Sequence, residues 1–437
     1  MFGNKPMSGY FLRNSGKIKA ILLLIAFFSI ISPFTGLLEL QSNLVIFFND
    51  NFAGISKFPS ELNPIFFIIE YMMYEINLLF EFLIPNLWGT ENYIFLRFLF
   101  KLPLLFFFIL NAILIEKIIT KEFNDNRLAS NAFYIQLFNI PLIFTTFFLG
   151  TWESIAIFFL LLNYYILLEQ KKEKEKNNFF SFEVLIAGFL FGIAITFSYF
   201  LLLGIFLFIQ LIKLRKIILY CISAIFSFIL INIPIFYFGS QRINFTPNQF
   251  GMSVLLTFFH LEKIFIYSIL VELILLIFLS QIKFLRFFDK LSIFSTLVIF
   301  FSINFTFNDF VIFFQIFLLG ILKFSDFKLK SKTNFEIRGY LSDIKIIYSI
   351  FLFYILFIIY ALFVYQTSNI IYLRLINVSF IETWNRLFWN SGLLLEFKSY
   401  FFIIFSIQLF LTAIFLIQKR KIFNITKRGL KQDSINS

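Results

Sequence analysis

Acidic residues are scarce in this chain, and a few of them stand where chemistry could be done. Asp50 sits in Asn49-Asp50-Asn51, just after the first long apolar run. Glu153 closes the short polar tip Gly150-Thr151-Trp152-Glu153 between two apolar runs. Glu272 lies inside the apolar run Ile264–Phe284, and Glu70, Glu75 and Glu81 recur along Asn63–Phe82. A carboxylate in such a place can take a proton from a hydroxyl as a general base. Inside a membrane segment it can also serve an ion or proton pathway. Each has a plainer structural reading. Asp50 suits a turn, Glu153 is favoured by the N-terminal end of the helix dipole, and Glu272 can pair with another buried polar group. The three recurring glutamates read as the solvated face of a helix lying at a membrane surface.

Five cations, Arg97, Lys101, Arg242, Arg374 and Arg386, fall among or beside these acids. Arg can hold a phosphate through two parallel hydrogen bonds and Lys can hold one as a point charge. The plainer reading is a cation snorkelling from the end of an apolar helix to the interface.

The elements that must position these groups are membrane helices. The chain has 437 residues, of which 60% are hydrophobic and only 14% charged, with a mean hydropathy of +0.88. A soluble domain is nearer ~45–50% apolar and ~25% charged. The stretch Phe147–Asn177 orients the rest: the tip at Glu153, an apolar run of spanning length, then Lys171, Lys172, Glu173, Lys174, Glu175 and Lys176. Such a Lys-rich block stays cytoplasmic, so Glu153 belongs to the outer face. Spans at Ile18–Leu38, Leu102–Ile119, Ala129–Leu149, Ser154–Leu168, Val184–Phe200, Leu201–Leu214, Ile217–Phe238, Ile264–Phe284, Leu291–Asn308, Phe310–Leu322, Ile344–Tyr365 and Phe401–Gln418 then place most Lys and Arg inside and leave Lys57, Arg97, Lys101, Arg242, Lys263, Arg374, Arg386 and Lys398 outside. This alternation holds only if Asn63–Phe82 does not cross, because a crossing there would invert every later loop.

The expected fold is therefore an all-α polytopic membrane protein of about twelve transmembrane helices with both termini cytoplasmic. Residues 1–423 form one transmembrane domain. Within it, 39–100 is a long outer loop bearing an interfacial helix, and 366–400 is a second outer loop. Residues 424–437 form a polar cytoplasmic tail. The formal charge of +12 is spread beside apolar runs, which indicates topology and anionic lipid rather than nucleic acid. One cysteine, Cys221, and one histidine, His260, leave no disulfide framework and no Cys/His metal site.

Several segments together resemble the GT-C superfamily of membrane glycosyltransferases. Leu96-Arg97-Phe98-Leu99-Phe100-Lys101-Leu102-Pro103-Leu104-Leu105, followed by Asn111-Ala112-Ile113-Leu114-Ile115, is similar to that family's second membrane helix. Asn139-Ile140-Pro141 with Gly150-Thr151-Trp152-Glu153-Ser154 resembles its next helix pair, and Ala187-Gly188-Phe189-Leu190-Phe191-Gly192-Ile193-Ala194 the pair after that. Phe58-Pro59-Ser60-Glu61-Leu62-Asn63-Pro64 resembles a stretch of its first outer loop. The likeness covers about residues 15–240 and lies in the order of the pieces. It implies a catalytic acid in the first outer loop and a sugar donor on polyprenyl (dolichyl) phosphate. It also implies transfer to a lipid-linked or cell-surface glycan acceptor at the outer face. The matching acid is Asp50, with Glu153 as the second, and the five cations would face the donor phosphate. The chain departs from the family in Asn49-Asp50-Asn51, where a D-x-D-like pair is usual, and in Ser198-Tyr199, where a Lys is frequent. The cofactor stays open: Mg²⁺ or Mn²⁺ needs oxygen ligands, and Asp50 with Glu153 is a thin set.

Two other classes remain. A multi-pass secondary transporter or a lipid or oligosaccharide flippase suits about twelve spans with both ends inside, and gives Glu272 a coupling role. A non-catalytic subunit of a cell-surface polymer pathway would tolerate the motif departures.

Overall fold

The computed structural model describes residues 7–32, 64–83, 93–124, 126–150, 152–172, 181–238, 274–279, 281–282, 285, 287–301 and 311–316. Every long regular element among them is a helix, and no strand occurs among the described residues. The elements are α1 (Met7–Ile31), α2 (Pro64–Leu83), α3 (Tyr93–Phe123), α4 (Asn126–Leu137), α5 (Glu153–Lys172), α6 (Phe182–Phe197), α7 (Leu214–Phe238) and α8 (Phe287–Phe301). Four helical stretches are long and apolar enough to cross a membrane: Phe98–Glu122, Leu128–Phe147, Glu153–Gln170 and Leu214–Ile233. They belong to a membrane protein by length and composition.

Cross-helix contacts give the relative directions. Lys17 pairs with Glu116 near one end of α1, and Lys101 Nζ donates to the Ser32 carbonyl at the other, so α1 and α3 are antiparallel. Ser154 Oγ reaches the Leu104 carbonyl while Lys121 pairs with Glu169, so α3 and α5 run the same way. Phe28 packs on Phe147 and Lys17 lies over Phe133, which aligns α1 with α4 and its continuation. Ser223 Oγ and Ser227 Oγ donate to the Leu185 and Phe189 carbonyls, so α6 and α7 are also parallel. The chain therefore returns between them, through Tyr199–Leu211. Gly204 and Phe208 of that return meet Phe294 and Phe287 of α8, which runs opposite to it. One end of the bundle thus collects Lys17, Glu116, Lys121, Glu169, Gln170, Ser181, Glu183 and Lys290. This is the alternation that the positive-inside rule assigns to this part of the chain.

Local sequence explains the irregular pieces. α4 stops at Leu137 because Pro141 cannot donate to a carbonyl four residues earlier. Asn139 caps the restart, accepting from the Leu142 N–H at 3.4 Å, and the chain continues as the π-helix Phe144–Leu149. The return segment is built of the 3₁₀ helix Tyr199–Gly204, the α-turn Ile205–Phe208 and the 3₁₀ helix Ile209–Leu211. At about 2.0 Å rise per 3₁₀ residue, against about 1.5 Å for α, so short a run reaches about 24 Å.

The helix expected at Asn63–Phe82 is present as α2, but its acids do not share a solvated face. Glu70 is buried at 2% exposure and Glu75 is exposed. Five residues of an α-helix separate them by about 140°, so one face cannot carry both. Tyr74, one turn from Glu70, is buried with it, and α2 packs on α3 and α7. α1 begins at Met7, earlier than the expected span. The loop 366–400 and the tail 424–437 lie outside the described residues.

The α6–α7 contact is the closest in the bundle. A Cβ on Gly192 would overlap Ser227 Oγ and the Ala224 carbonyl, and one on Gly188 would overlap the Tyr220 carbonyl. Gly192→Leu is expected to separate these helices and cost about 2–4 kcal/mol, by overpacking and loss of the Ser227 bond. Thermal melting of the detergent-solubilised protein should show a clear drop, and Phe189→Leu, a change confined to a half-buried side chain, should show little.

Candidate functional site

At the end opposite the ion pairs, the polar groups are buried rather than solvated. Lys101 stands in the first third of α3 with no exposed surface. Its ammonium donates to the Phe147 carbonyl at 2.8 Å and to the Ser32 carbonyl at 3.0 Å. Both acceptors are at helix ends, where backbone carbonyls have no partner within the helix. The lysine therefore joins α3 to the end of α1 and to the π-helix. It also acts through space on Glu70 of α2, whose buried carboxyl is an electrostatic neighbour.

Gly150 makes room for this arrangement. Its φ of 74° is left-handed, it closes the π-helix with an N–H to the Thr145 carbonyl at 2.7 Å, and a Cβ there would lie 3.2 Å from Lys101 Cε. Only glycine meets both demands without strain. The chain then turns through Trp152 into α5, whose first residue is Glu153. Glu153 has no exposed surface and stands in the positive end of the α5 dipole, which favours its carboxylate. Next to it, Ser154 Oγ donates to the Leu104 carbonyl at 3.2 Å, and Asn111 Nδ2 donates to the Ser154 carbonyl at 2.7 Å. These bonds fix the start of α5 against α3.

Of the residues expected to do chemistry, Glu153 and Lys101 come to the same end of the bundle. Arg97 is one helical turn before Lys101 on α3. Asp50, Arg242, Glu272, Arg374 and Arg386 lie outside the described residues. Lys101 is engaged with backbone carbonyls, so whatever it does for a ligand it does from within the protein. Glu70 joins the site although the sequence pattern set it on a solvated face. The signal that marks it is its i, i+4 relation to Tyr74 on the packed side of α2. Ser32 and Thr146 are also fully buried here, and no motif singled them out. No group of three or more His, Cys, Asp or Glu able to hold a metal ion occurs among the described residues.

Comparison of the chain with protein-family models, with curated proteins and with solved structures finds no match.

Lys101→Met keeps the length of the side chain but leaves two buried carbonyls and Glu70 without the ammonium. Removing one partner of a buried charged set costs about 3–5 kcal/mol. Gly150→Ala costs about 1–3 kcal/mol from the left-handed φ and the contact with Lys101. Part of that contact disappears when Lys101 is already gone. Melting of both single variants and the double variant should therefore give a sum less than additive by about 0.5–1 kcal/mol; strict additivity would mean that Gly150 and Lys101 act separately.

Proposed function

We propose that the protein is a membrane glycosyltransferase that moves a hexose, such as mannose, from a polyprenyl-phosphate donor to a lipid-linked or cell-surface acceptor. The proposed topology is about twelve spans with both termini inside, which puts the Glu153–Lys101–Glu70 end at the outer face. One observation carries the reading. Two buried carboxyl groups, Glu70 and Glu153, and the buried ammonium of Lys101 gather at that end, whereas the opposite end holds the partly exposed pairs Lys17–Glu116 and Lys121–Glu169 together with the buried Asp289 and Lys290. Ionisable groups buried at membrane depth are costly, and they persist where they serve a ligand or a reaction.

The chemistry fits the residue types. Polyprenyl phosphate leaves readily, so the protein's task is to orient the acceptor hydroxyl and remove its proton. A carboxylate such as Asp50 or Glu153 is suited to that step. A cation near the departing phosphate, with Arg97, Lys101, Arg242, Arg374 and Arg386 as candidates, would stabilise the developing charge. The same buried Glu70–Lys101 neighbours also suit an ion-coupled transporter or flippase, in which the acid would carry a proton or the substrate's counter-charge.

The two readings separate in one experiment. Membranes containing the wild type should transfer radiolabelled sugar from a polyprenyl-phosphate-sugar, and Asp50→Asn should lose at least about 100-fold. Glu153→Gln should lose activity to a similar degree, with protein levels unchanged in both. Activity kept in Asp50→Asn but lost in Glu153→Gln would move the base to Glu153. No transfer by the wild type, with pH-gradient-dependent uptake into vesicles abolished by Glu70→Gln, would replace the transferase with the transporter.

A further inference from the structure

Three buried polar atoms on elements that Lys101 touches or acts on have no hydrogen-bond partner: Ser32 Oγ, Glu70 Oε2 and Thr146 Oγ1. Their residues are 0%, 2% and 0% exposed. They come from three elements that converge on this lysine. Ser32 follows α1 and gives its carbonyl to the ammonium, Thr146 precedes Phe147, which gives its carbonyl too, and Glu70 of α2 is its electrostatic neighbour. Phe28 against Phe147, with ring centroids 5.0 Å apart, holds the end of α1 on the π-helix beside them. Buried polar atoms of native proteins are almost always satisfied, by protein, water or ligand. Three orphans on the elements that Lys101 ties together therefore point to an occupant.

Their chemistry says what kind. Two hydroxyls can each donate or accept, and one carboxyl oxygen accepts. An aliphatic O–H complements this set, donating to Glu70 and accepting from Ser32 or Thr146. A phosphate fits less well, because none of the three side chains brings it a positive charge. We propose that Ser32, Glu70 and Thr146 form a buried subsite for an aliphatic hydroxyl, at the niche that Lys101 ties together. The inference rests on the transferase reading for its purpose, namely holding the acceptor hydroxyl, but binding can be measured without turnover. Lys101 acts here as a positioning residue, keeping the three elements in register.

The test is binding to the full-length protein in detergent micelles, read as the shift in melting temperature with methyl α-mannoside, a sugar hydroxyl, or with farnesol, a lipid alcohol. A ligand that binds the folded state raises the melting temperature by mass action. One of the two probes is expected to stabilise the wild type, and which one does so identifies the source of the hydroxyl. Glu70→Gln should weaken that probe about tenfold, and Ser32→Ala and Thr146→Val about three- to fivefold each, the size of a lost hydrogen bond. Thr146→Val provides the control against a merely structural role. It removes an orphan hydroxyl at constant shape, so the ligand-free protein should melt no lower than the wild type while probe affinity falls. Stabilisation by neither probe would overturn the proposal and leave the niche to water alone. Unchanged affinity in Glu70→Gln and Thr146→Val, with both variants folded, would overturn it as well. Probe binding without any sugar transfer keeps the subsite and discards the transferase.

Discussion

A fully buried ammonium organises one end of the described helical bundle. Lys101 sits in an apolar helix, where an uncompensated charge costs several kcal/mol even after the surroundings relax. Its compensation comes from separate places: the carbonyl at the end of α1, the carbonyl of Phe147 in the π-helix, and the carboxyl of Glu70 on α2. None of these groups lies within thirty residues of Lys101 in the chain. The break after Leu137, the π-helix and the left-handed Gly150 together bring the Phe147 carbonyl to the ammonium and clear space for its stem.

The two ends of the bundle solve opposite problems. At the basic end, Lys17–Glu116 and Lys121–Glu169 are partly exposed, and Lys121 also lies over the Tyr165 ring. Such pairs contribute little to stability individually, because water and salt screen them. Their value is to end the helices at an aqueous surface and to set orientation. At the other end the polar groups are inside, with Glu153 at a helix start and Ser154 and Asn111 locking α5 to α3. Between the ends, small residues and serines let α6 and α7 approach until side-chain hydroxyls reach the neighbour's carbonyls. Lipid supplies no hydrophobic force between helices, so this close fit and its hydrogen bonds do the work of association.

Glu70 shows how polarity and burial compete on one helix. α2 carries too many glutamates for an ordinary span, and it exposes Ile68, Met72, Leu79 and Phe82 on its outer side. Its amphipathicity is therefore inverted at one point: an acid faces the protein and apolar residues face outward. The Lys101 ammonium on α3 acts on that acid through space. The orphan oxygens of Ser32, Glu70 and Thr146 belong to the same corner. A site that keeps polar atoms unsatisfied trades stability for the ability to bind.

Composition and the spacing of apolar runs determined by themselves that the chain is helical, with helices long and apolar enough to cross a membrane. The placement of Lys and Arg beside those runs determined the relative directions of α1, α3, α4, α5, α6, α7 and the return segment, because charge at a helix end and apolar length are local properties that survive folding. The polar tip at Glu153 was legible for the same reason, as was its neighbour Lys101 as a cation in an apolar run. The partners of Lys101 were not, since a carbonyl accepts irrespective of side chain and leaves no mark in a sequence. Nor was the burial of Glu70, whose period fits a solvated face and whose charged neighbour is a lysine on another helix. Ser32 and Thr146 are ordinary residues along the chain, and only the tertiary structure makes them neighbours, because their meeting depends on a helix break, a left-handed glycine and one buried charge acting together.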